Sequence, residues 1–360
     1  MHLAGQTQAA LEAWTQARGA KAGAARALAR ALLAGFAQRP TAERPAQALL
    51  AEARAAFSSE LPRAEVVRDP DDTVRFVVHL DDGNIVETVL IHQRENETRA
   101  RGRWTVCVSS QVGCARGCVF CETGRLGFER NLQAHEIVAQ YAVAARHLGT
   151  RPQNVVFMGM GEPLDNLEEV LRAIEVLREP AGFAVPERRI TVSTVGIVPK
   201  MDDLYARTKA QIAVSLHAID AQARRALLPV AKKWPLATLR EAIARAPRTV
   251  LLQWTLIEGV NDSDEAADAL AEFSRGLDVR VNLIPLNPGP IEAQHPPPLE
   301  RCRSFQKRLA AAGIRTLLRM PHGREVGGAC GQLAGSRRSH ETKTQTQPQT
   351  QTQTQTQTEA

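Results

Sequence analysis

From about residue 104 onward, short apolar runs alternate with amphipathic stretches, and this alternation restricts the fold more than any other feature. The strand-like runs cover residues 104–108, 154–158, 189–193, 212–216, 250–256, 279–284 and 314–318. The helical patterns between them include residues 132–148, 167–177, 236–246, 264–273 and 298–312. Strand–helix–strand repeats bury their apolar faces through right-handed crossovers onto a parallel sheet. The pattern predicts an α/β fold of six or seven βα units, and it leaves a choice between an open sheet and a full or partial barrel.

Three further segments flank this predicted core, which we assign to residues 101–335. Residues 1–62 are rich in Ala, Arg and Leu and contain two helix-like stretches, so we predict a helical N-terminal cap. Residues 63–100 contain two β-rich runs around Asp81-Asp-Gly-Asn, which predict a β-hairpin extension. Residues 336–360 are a Thr/Gln-rich tail with little to bury, and we expect them to be disordered.

Composition excludes two classes of protein. No stretch approaches the roughly 20 consecutive apolar residues of a membrane span, and the first residues lack the basic and apolar regions of a signal peptide. We therefore expect a cytoplasmic protein without a membrane partner, and a monomer. Lys and Arg total 45 against 39 Asp and Glu, a net charge of +6 that suits RNA but also many enzymes without it. Candidate phosphate contacts are Arg99, Arg101, Arg103, Arg125 and Arg130.

Three cysteines, Cys114, Cys118 and Cys121, have the spacing C-x3-C-x2-C. Three thiolates on one short loop suit a [4Fe–4S] cluster, which normally takes four, so that one iron stays open to bind a substrate. A structural zinc site prefers four ligands, and no second Cys or His pair stands nearby in the sequence. The chain is long, and only two of its six cysteines lie outside residues 107–121. A secreted protein held together by disulfides would be short and rich in cysteine throughout, so this class is excluded.

The motifs around these cysteines resemble those of a known family. The triplet after the first core strand is similar to the signature of the radical S-adenosylmethionine (SAM) superfamily. The wider set resembles the RlmN/Cfr family of radical SAM RNA (adenine) methyltransferases, which act on ribosomal RNA and, for some members, tRNA. The resemblance covers roughly residues 75–335 and implies a partial (βα)6 barrel. The motifs are Cys107-Val-Ser-Ser-Gln-Val-Gly-Cys, Gly127-Phe-Glu-Arg-Asn-Leu, Gly159-Met-Gly-Glu-Pro-Leu-Asp-Asn, Ser193-Thr-Val-Gly-Ile-Val-Pro, Val214-Ser-Leu-His-Ala, Asn282-Leu-Ile-Pro-Leu-Asn-Pro and Gly328-Ala-Cys-Gly-Gln-Leu.

The resemblance implies cofactors and their contacts. Cys114, Cys118 and Cys121 would hold a [4Fe–4S] cluster whose open iron binds SAM, with a low-potential electron donor such as flavodoxin or ferredoxin. The implied SAM contacts are Gly161, Glu162, Ser193, Ser215, Leu216, His217 and Asn287. Several of these follow predicted strands, at the edge where parallel sheets bind ligands. The glycines of the Gly159 motif also let the backbone approach a ligand closely.

The resemblance further implies a covalent route for the methyl group. Direct transfer from SAM to the C2 carbon of adenine fails, because both groups are electrophilic. In the family, one SAM methylates the cysteine that matches Cys330, and a second SAM supplies the radical that activates this S-methyl group. The thiol that matches Cys107 then releases the methylated base and leaves a disulfide. Glu87 matches the family's proton acceptor, whereas Cys302 stands in a helical pattern and has no assigned role.

Two regions depart from the family pattern. Where relatives commonly carry an Arg-Gly-x-Asp-Ile type segment before the methyl-carrying cysteine, this chain reads Met320-Pro-His-Gly-Arg-Glu-Val. The N-terminal cap has no evident match to the usual RNA-binding extension. The sequence therefore predicts methylation of an adenine carbon, C2 ahead of C8, in 23S rRNA or tRNA. Two alternatives stay open, namely a radical SAM enzyme with a non-RNA substrate and a catalytically silent RNA-binding metalloprotein.

Overall fold

The computed structural model of this chain describes residues 2–21, 23–37, 46–95, 102–289 and 291–333. Its strands are β1 (Ala64–Arg68), β2 (Val74–His79), β3 (Ile85–Gln93), β4 (Arg103–Cys107), β5 (Gln111–Gly113), β6 (Phe128–Asn131), β7 (Asn154–Phe157), β8 (Ile190–Thr194), β9 (Gln211–Ser215), β10 (Val250–Leu256), β11 (Val279–Pro285) and β12 (Thr316–Leu318). Its helices are α1 (Gln8–Gln16), α2 (Ala24–Ala37), α3 (Gln47–Ala56), α4 (Glu122–Arg125), α5 (Ala134–Leu148), α6 (Leu167–Arg178), α7 (Val198–Arg207), α8 (Ala221–Leu227), α9 (Leu236–Ala244), α10 (Asp264–Ser274) and α11 (Leu299–Ala311). Short 3-10 helices cover Leu3–Gly5, Pro163–Asn166, Glu187–Arg189 and Pro229–Lys232.

Ten of the strands form one sheet in the order β1-β2-β3-β4-β7-β8-β9-β10-β11-β12. From β4 to β12 every neighbouring pair is parallel, whereas β1 to β4 pair in antiparallel fashion. Helices connect the successive parallel strands, which gives six βα units. The predicted α/β fold is therefore confirmed. β1 and β12 lie at the two ends of the strand order and, among the described residues, do not pair with each other, as in a partial barrel.

Helix α5 illustrates how local sequence sets these elements. Its first turn carries a capping box, in which the Glu136 carboxylate accepts the backbone N–H of Gln133 at 2.8 Å. Gly149 ends the helix with a left-handed φ of 72°. Between these caps, Ile137 and Tyr141 are fully buried, and the helix packs on β3 and α6. The buried stripe therefore covers one face of the sheet where the antiparallel and parallel parts meet.

The predicted hairpin is confirmed as β2 and β3, and β1 adds a third strand outside it. Three of the five residues of β1 are exposed, and burial does not alternate along the strand. Its sequence therefore did not need the alternating apolar pattern by which strands are predicted. β3 pairs with β4 so that Val89 stands opposite Cys107. Because alternate residues of a strand share a face, Glu87 lies on the same face as Val89 and Cys107.

The described part of the N-terminal segment contains three α-helices, one more than the sequence predicted, and α2 packs against α5. The division into domains at residues 62 and 100 stays a prediction. The predicted disordered tail, residues 336–360, lies outside the described residues. Within the described ranges, no helix has the length and the apolar composition that crossing a bilayer requires.

Candidate active site

The three cysteines of the C-x3-C-x2-C motif lie on a loop that follows β5. Gly113, the last residue of β5, has a φ of 73° and lies so close to β6 that a Cβ atom would stand 1.9 Å from the carbonyl oxygen of Gly127. The next residue, Cys114, donates its N–H to that same oxygen at 2.7 Å. Further along, the Cys121 N–H donates to the carbonyl of Cys118 at 3.1 Å, and α4 begins directly afterwards. The β5–β6 hairpin therefore sets where the first cysteine enters the loop.

Burial and mutual repulsion act on these thiols together. Burial raises the pKa of Cys114 to about 12, and Glu162 and Cys121 add to the increase. Burial and the neighbouring Cys121 raise the pKa of Cys118 as well. In the described part of the chain, no three His, Cys, Asp or Glu side chains converge on one point where a single metal ion would sit. All three cysteines line one cleft, which fits a [4Fe–4S] cluster because each of three irons takes one thiolate.

These cysteines border a cleft at the carboxyl ends of the parallel strands. Six of the seven predicted SAM contacts line it, together with Cys330: Gly161, Glu162, Ser193, Ser215, His217 and Asn287. The seventh, Leu216, does not, because its side chain is fully buried in the core. Lining residues that the sequence did not point to include Arg116, Phe120, Met158, Gln253 and Thr255. The structure therefore brings the predicted cluster and SAM residues together around one cleft.

Glu162 is the acidic residue among those that line this cleft. It is 3% exposed, and its two carboxylate oxygens accept backbone N–H groups of Leu164 at 3.0 Å and Val195 at 2.9 Å. Burial raises the pKa of Glu162 to about 7, although both hydrogen bonds oppose the increase. A carboxylate held by two amides is fixed in place and ready to accept a cationic ligand group such as an ammonium.

The two glycines before Glu162 are required by a contact within the chain itself. A Cβ atom at Gly159 would lie 2.8 Å from the backbone carbonyl of Val108, and one at Gly161 would lie 2.8 Å from the backbone N of Gln111. Gly161 also has a φ of 99°, which side chains rarely adopt. The segment between β4 and β5 therefore packs directly on this turn, which accounts for both glycines without a ligand.

His217 has a left-handed φ of 58°, an uncommon backbone conformation for a residue with a side chain. Its Nδ1 accepts the backbone N–H of Thr255 at 2.9 Å, and its ring meets Phe120 edge-on at 4.8 Å between centroids. Burial, with the nearby charge of Arg224, lowers the pKa of His217 to about 3. The imidazole is therefore neutral, and because Nδ1 is an acceptor, the proton resides on Nε2.

Cys330 borders two neighbouring clefts. The second cleft is also lined by Cys107, Arg319 and His322. The two clefts share Met158, Ile284, Asn287 and Cys330. Cys330 is exposed, whereas Cys107 at the end of β4 is buried. Burial and the adjacent Cys330 thiol raise the pKa of Cys107. Both are free thiols, so the structure brings the two predicted cysteines together without a bond between them.

The Cys330 segment is tied to the cluster loop and to the end of β11. Glu122 donates its N–H to the carbonyl of Gly331 at 2.8 Å, and the Thr123 hydroxyl donates to the carbonyl of Leu333 at 2.6 Å. The Asn287 side chain, predicted to bind SAM, donates to the carbonyl of Cys330 at 3.0 Å. Asn287 thus holds the Cys330 backbone at the wall between the clefts.

Glu87, the predicted proton acceptor, is buried and forms an ion pair with Arg75, and it lines neither cleft. Its backbone carbonyl accepts the Ser109 hydroxyl at 2.6 Å, which ties β3 to the segment after β4. Among the candidate phosphate contacts, Arg130 is engaged in ion pairs with Asp82 and Glu136. Arg99 and Arg101 lie outside the described residues.

Sequence reasoning missed one buried cation beneath the cleft. Arg224, in α8, is 1% exposed and donates to the carbonyls of Leu216 at 3.2 Å and Val195 at 3.1 Å. It therefore joins the strand ends that carry Ser193 and Ser215. An arginine within the short helical stretch after the Val214 motif was the only signal available in the sequence.

Comparison with known proteins places this site in a family. Residues 108–271 match the radical SAM superfamily. A probable RNA methyltransferase of Sorangium cellulosum is 45% identical, over 93% of this chain and 88% of its own length. A dual-specificity RNA methyltransferase RlmN of Syntrophobacter fumaroxidans is 44% identical, over 73% of this chain and 77% of its own length. The crystal structure of a radical SAM methyltransferase from Sphaerobacter thermophilus has a TM-score of 0.82 at 38% identity, covering 93% of this chain and 99% of that one. The chain thus belongs to the RlmN family of radical SAM RNA methyltransferases.

Proposed function

We propose that this protein methylates the C2 carbon of an adenine in rRNA or tRNA through an S-methylcysteine on Cys330, using two SAM per turnover. One observation carries the proposal: Cys330 and Cys107 come from distant parts of the sequence yet border the same cleft, and Cys330 also borders the cleft of the cluster cysteines. The names of the relatives, which specify RNA and dual specificity, support the substrate.

The carrier role falls to Cys330 because it is the exposed thiol. Its sulfur takes the methyl group of the first SAM, which leaves as S-adenosylhomocysteine. When bound, the cluster of Cys114, Cys118 and Cys121 would give one electron to the second SAM and so release the radical that removes a hydrogen atom from this methyl group. The activated methylene carbon then bonds to the adenine carbon, and Cys330 holds the base covalently.

The buried Cys107 thiol then resolves this adduct. The adenine carbon first loses its proton, for which we propose Glu87 as the acceptor. The electron released with it would return to the cluster and replace the one supplied to the second SAM. The Cys107 sulfur attacks the Cys330 sulfur, the carbon–sulfur bond breaks, and a proton completes the methyl group. The resulting disulfide needs two electrons to reopen, and we propose that flavodoxin or ferredoxin supplies them.

SAM binding is the task we assign to the fixed polar groups of the first cleft. Glu162, held by two backbone amides, suits the ammonium of SAM, and the neutral His217 presents its Nε2–H. Ser193 and Ser215 add hydroxyls at the ends of β8 and β9. A cytoplasmic location and a monomeric state remain our predictions.

The decisive experiment follows deuterated methyl groups from labelled SAM in the anaerobically loaded enzyme with total RNA. We expect mass spectrometry to find label on Cys330 and on adenine in the wild type, and on neither in Cys330→Ala. Cys107→Ala should accumulate a covalent protein–RNA adduct. Cys302→Ala is the matched control, because Cys302 is buried in α11 away from both clefts, and it should retain activity. A Cys330→Ala enzyme that still labels adenine would overturn the proposal.

A further inference from the structure

Residues 319–328, which we call the strap, join opposite ends of the sheet. The strap begins directly after β12, at one end of the strand order, where Arg319 donates its N–H to the carbonyl of Leu283 at 2.9 Å. It ends two residues before Cys330. It includes residues 320–326, the stretch where the sequence departs from the family pattern. Its path therefore spans the open side of the partial barrel, beside the second cleft.

Two aspartates in the turn between β1 and β2 hold the strap at its far end. One carboxylate oxygen of Asp71 accepts the N–H of Gly323 at 3.0 Å and lies 3.1 Å from Nδ1 of His322. One carboxylate oxygen of Asp69 accepts the N–H groups of Glu325 at 3.1 Å and Val326 at 3.4 Å. The strap thus meets the turn through four polar groups.

The remaining oxygens of both aspartates bond within the turn. The second oxygen of Asp71 accepts the N–H of Thr73 at 2.9 Å, and that of Asp69 accepts the N–H of Asp71 at 3.1 Å. Partial burial acts to raise the pKa of Asp71, but hydrogen bonds from Thr73 and Gly323 and the charge of His322 bring it down to about 2. Both oxygens of each carboxylate therefore act as acceptors, and each aspartate bridges the turn to the strap.

From the strap a short chain of hydrogen bonds leads to the reactive thiol. The Arg324 guanidinium donates to the Asn287 side-chain oxygen at 2.9 Å and to the carbonyl of Leu286 at 3.1 Å. The other end of the Asn287 amide donates to the carbonyl of Cys330 at 3.0 Å. Gly328 closes the strap on itself by donating to the carbonyl of Gly323 at 2.8 Å.

We propose that Asp69 and Asp71 are positioning residues that, by holding the strap against the β1–β2 turn, keep Cys330 at the wall shared by the two clefts. They touch neither cleft themselves, so they act through the strap and Asn287. The catalytic consequence rests on the proposed role of Cys330 as the methyl carrier, whereas the structural consequence does not.

The test compares Asp69→Asn/Asp71→Asn with Asp72→Asn in the full-length, cluster-loaded enzyme. Asparagine is nearly isosteric, but it offers one acceptor where the aspartate offers two, so an amide donor must face either the turn or the strap. Asp72 lies in the same turn and pairs with Arg94 and His92 rather than with the strap, and asparagine tolerates its φ of 72°. The control therefore preserves the turn and leaves the strap contacts intact.

The first readout is hydrogen–deuterium exchange, which needs neither SAM nor RNA. In the double variant we expect amide exchange in a peptide covering residues 323–333 to accelerate by about tenfold or more. A tenfold change corresponds to a loss of about 1.4 kcal/mol, which is close to the contribution of one hydrogen bond. Peptides from α5 and α10 should be unchanged, as should all peptides of Asp72→Asn. Unchanged exchange at residues 323–333 would overturn the proposal. If the double variant does not fold, Asp71→Asn alone is measured against the same expectation.

The second readout separates positioning from simple stabilisation. At saturating RNA we expect the methylation rate of the double variant to fall about tenfold or more, with the KM for RNA unchanged, because a displaced carrier thiol misplaces the reacting carbon. More 5′-deoxyadenosine should be released per methylated adenosine. If hydrogen–deuterium exchange is faster but the ratio of 5′-deoxyadenosine released to adenosine methylated is unchanged, the positioning role is refuted. A failure of the proposed function can be told apart from a failure of this proposal. In that case Cys330→Ala would remain active, whereas the hydrogen–deuterium exchange of the double variant would still be accelerated.

Discussion

Replacing Gly113 by alanine tests whether the β5–β6 hairpin positions the first cluster cysteine. Gly113 pairs with Phe128 across this hairpin and lies close to the carbonyl of the preceding Gly127. Both glycines have left-handed backbone, with φ values of 73° and 76°. A Cβ atom at Gly127 would meet nothing within 4 Å, whereas one at Gly113 would stand 1.9 Å from a backbone oxygen. The two substitutions are therefore matched in backbone strain and differ in crowding.

The expected loss of stability follows from these contacts. Alanine at Gly127 costs only the strain of left-handed backbone, about 1–2 kcal/mol. Alanine at Gly113 adds overpacking of about 1–3 kcal/mol, since the backbone carbonyl of Gly127 has to move. That movement also breaks the hydrogen bond from Cys114 to the same carbonyl, worth about 1 kcal/mol. We therefore expect Gly113→Ala to be less stable than Gly127→Ala by about 2–4 kcal/mol.

Two measurements check this prediction. Denaturant unfolding of both variants gives the difference in free energy of unfolding, and iron content after anaerobic reconstitution reports on the position of Cys114. We expect Gly127→Ala to bind iron as the wild type does, and Gly113→Ala to bind less, because the displaced residue directly precedes a cluster ligand. Equal losses of stability and of iron in the two variants would refute the inference that the close approach at Gly113 sets the loop.

Three further predictions concern titration and reactivity. Burial lowers the pKa of His217 from 6.5 to about 3, so between these pH values only the unfolded state takes up a proton on this residue. The free energy of unfolding of the wild type should therefore fall as the pH is lowered from 6.5 to about 3, and it should fall less steeply in His217→Asn. Parallel curves for the two proteins would contradict this prediction. Iodoacetamide should modify the exposed Cys330 well before Cys107, whose pKa burial raises, as peptide mass spectrometry would detect; equal rates would argue against the assigned roles. Glu87→Gln should still acquire a methyl group on Cys330, but its rate of RNA methylation should fall by about 100-fold or more. An unchanged rate would exclude Glu87 as the proton acceptor.

The parallel core was predictable from sequence because strands buried on both faces are nearly continuous apolar runs. All seven predicted core strands coincide with observed strands to within two residues at each end. The small β5–β6 hairpin and α4 were not predicted, because elements of three or four residues carry no measurable period. They are held instead by backbone contacts such as that between Gly113 and Gly127.

The residues of the site were predictable where they sit in local motifs, and less so where a partner is distant. Asn287, predicted to bind SAM, lines the first cleft, and its side chain bonds to Cys330, 43 residues away, which no spacing in the sequence reveals. Gly159 and Gly161 were assigned to a close approach of a ligand, and the close approach in the structure is to residues 108–111 of the same chain. Leu216, taken over with its motif neighbours, belongs to the core.

The strap gives a physical reason why the departure at residues 320–326 is compatible with a fixed position of Cys330, the proposed methyl carrier. Three of its four contacts to Asp69 and Asp71 are made by backbone N–H groups, which any sequence except proline supplies. For these three contacts the requirement for particular side chains therefore falls on the two aspartates. Within the strap, Arg324 remains constrained by its bond to Asn287, and Gly323 by its left-handed φ of 70°. The strap residues Arg319, Met320 and His322 line the second cleft together with Cys107 and Cys330. We therefore expect differences in RNA preference within the family to follow these side chains, and the position of Cys330 to follow the turn that holds the strap.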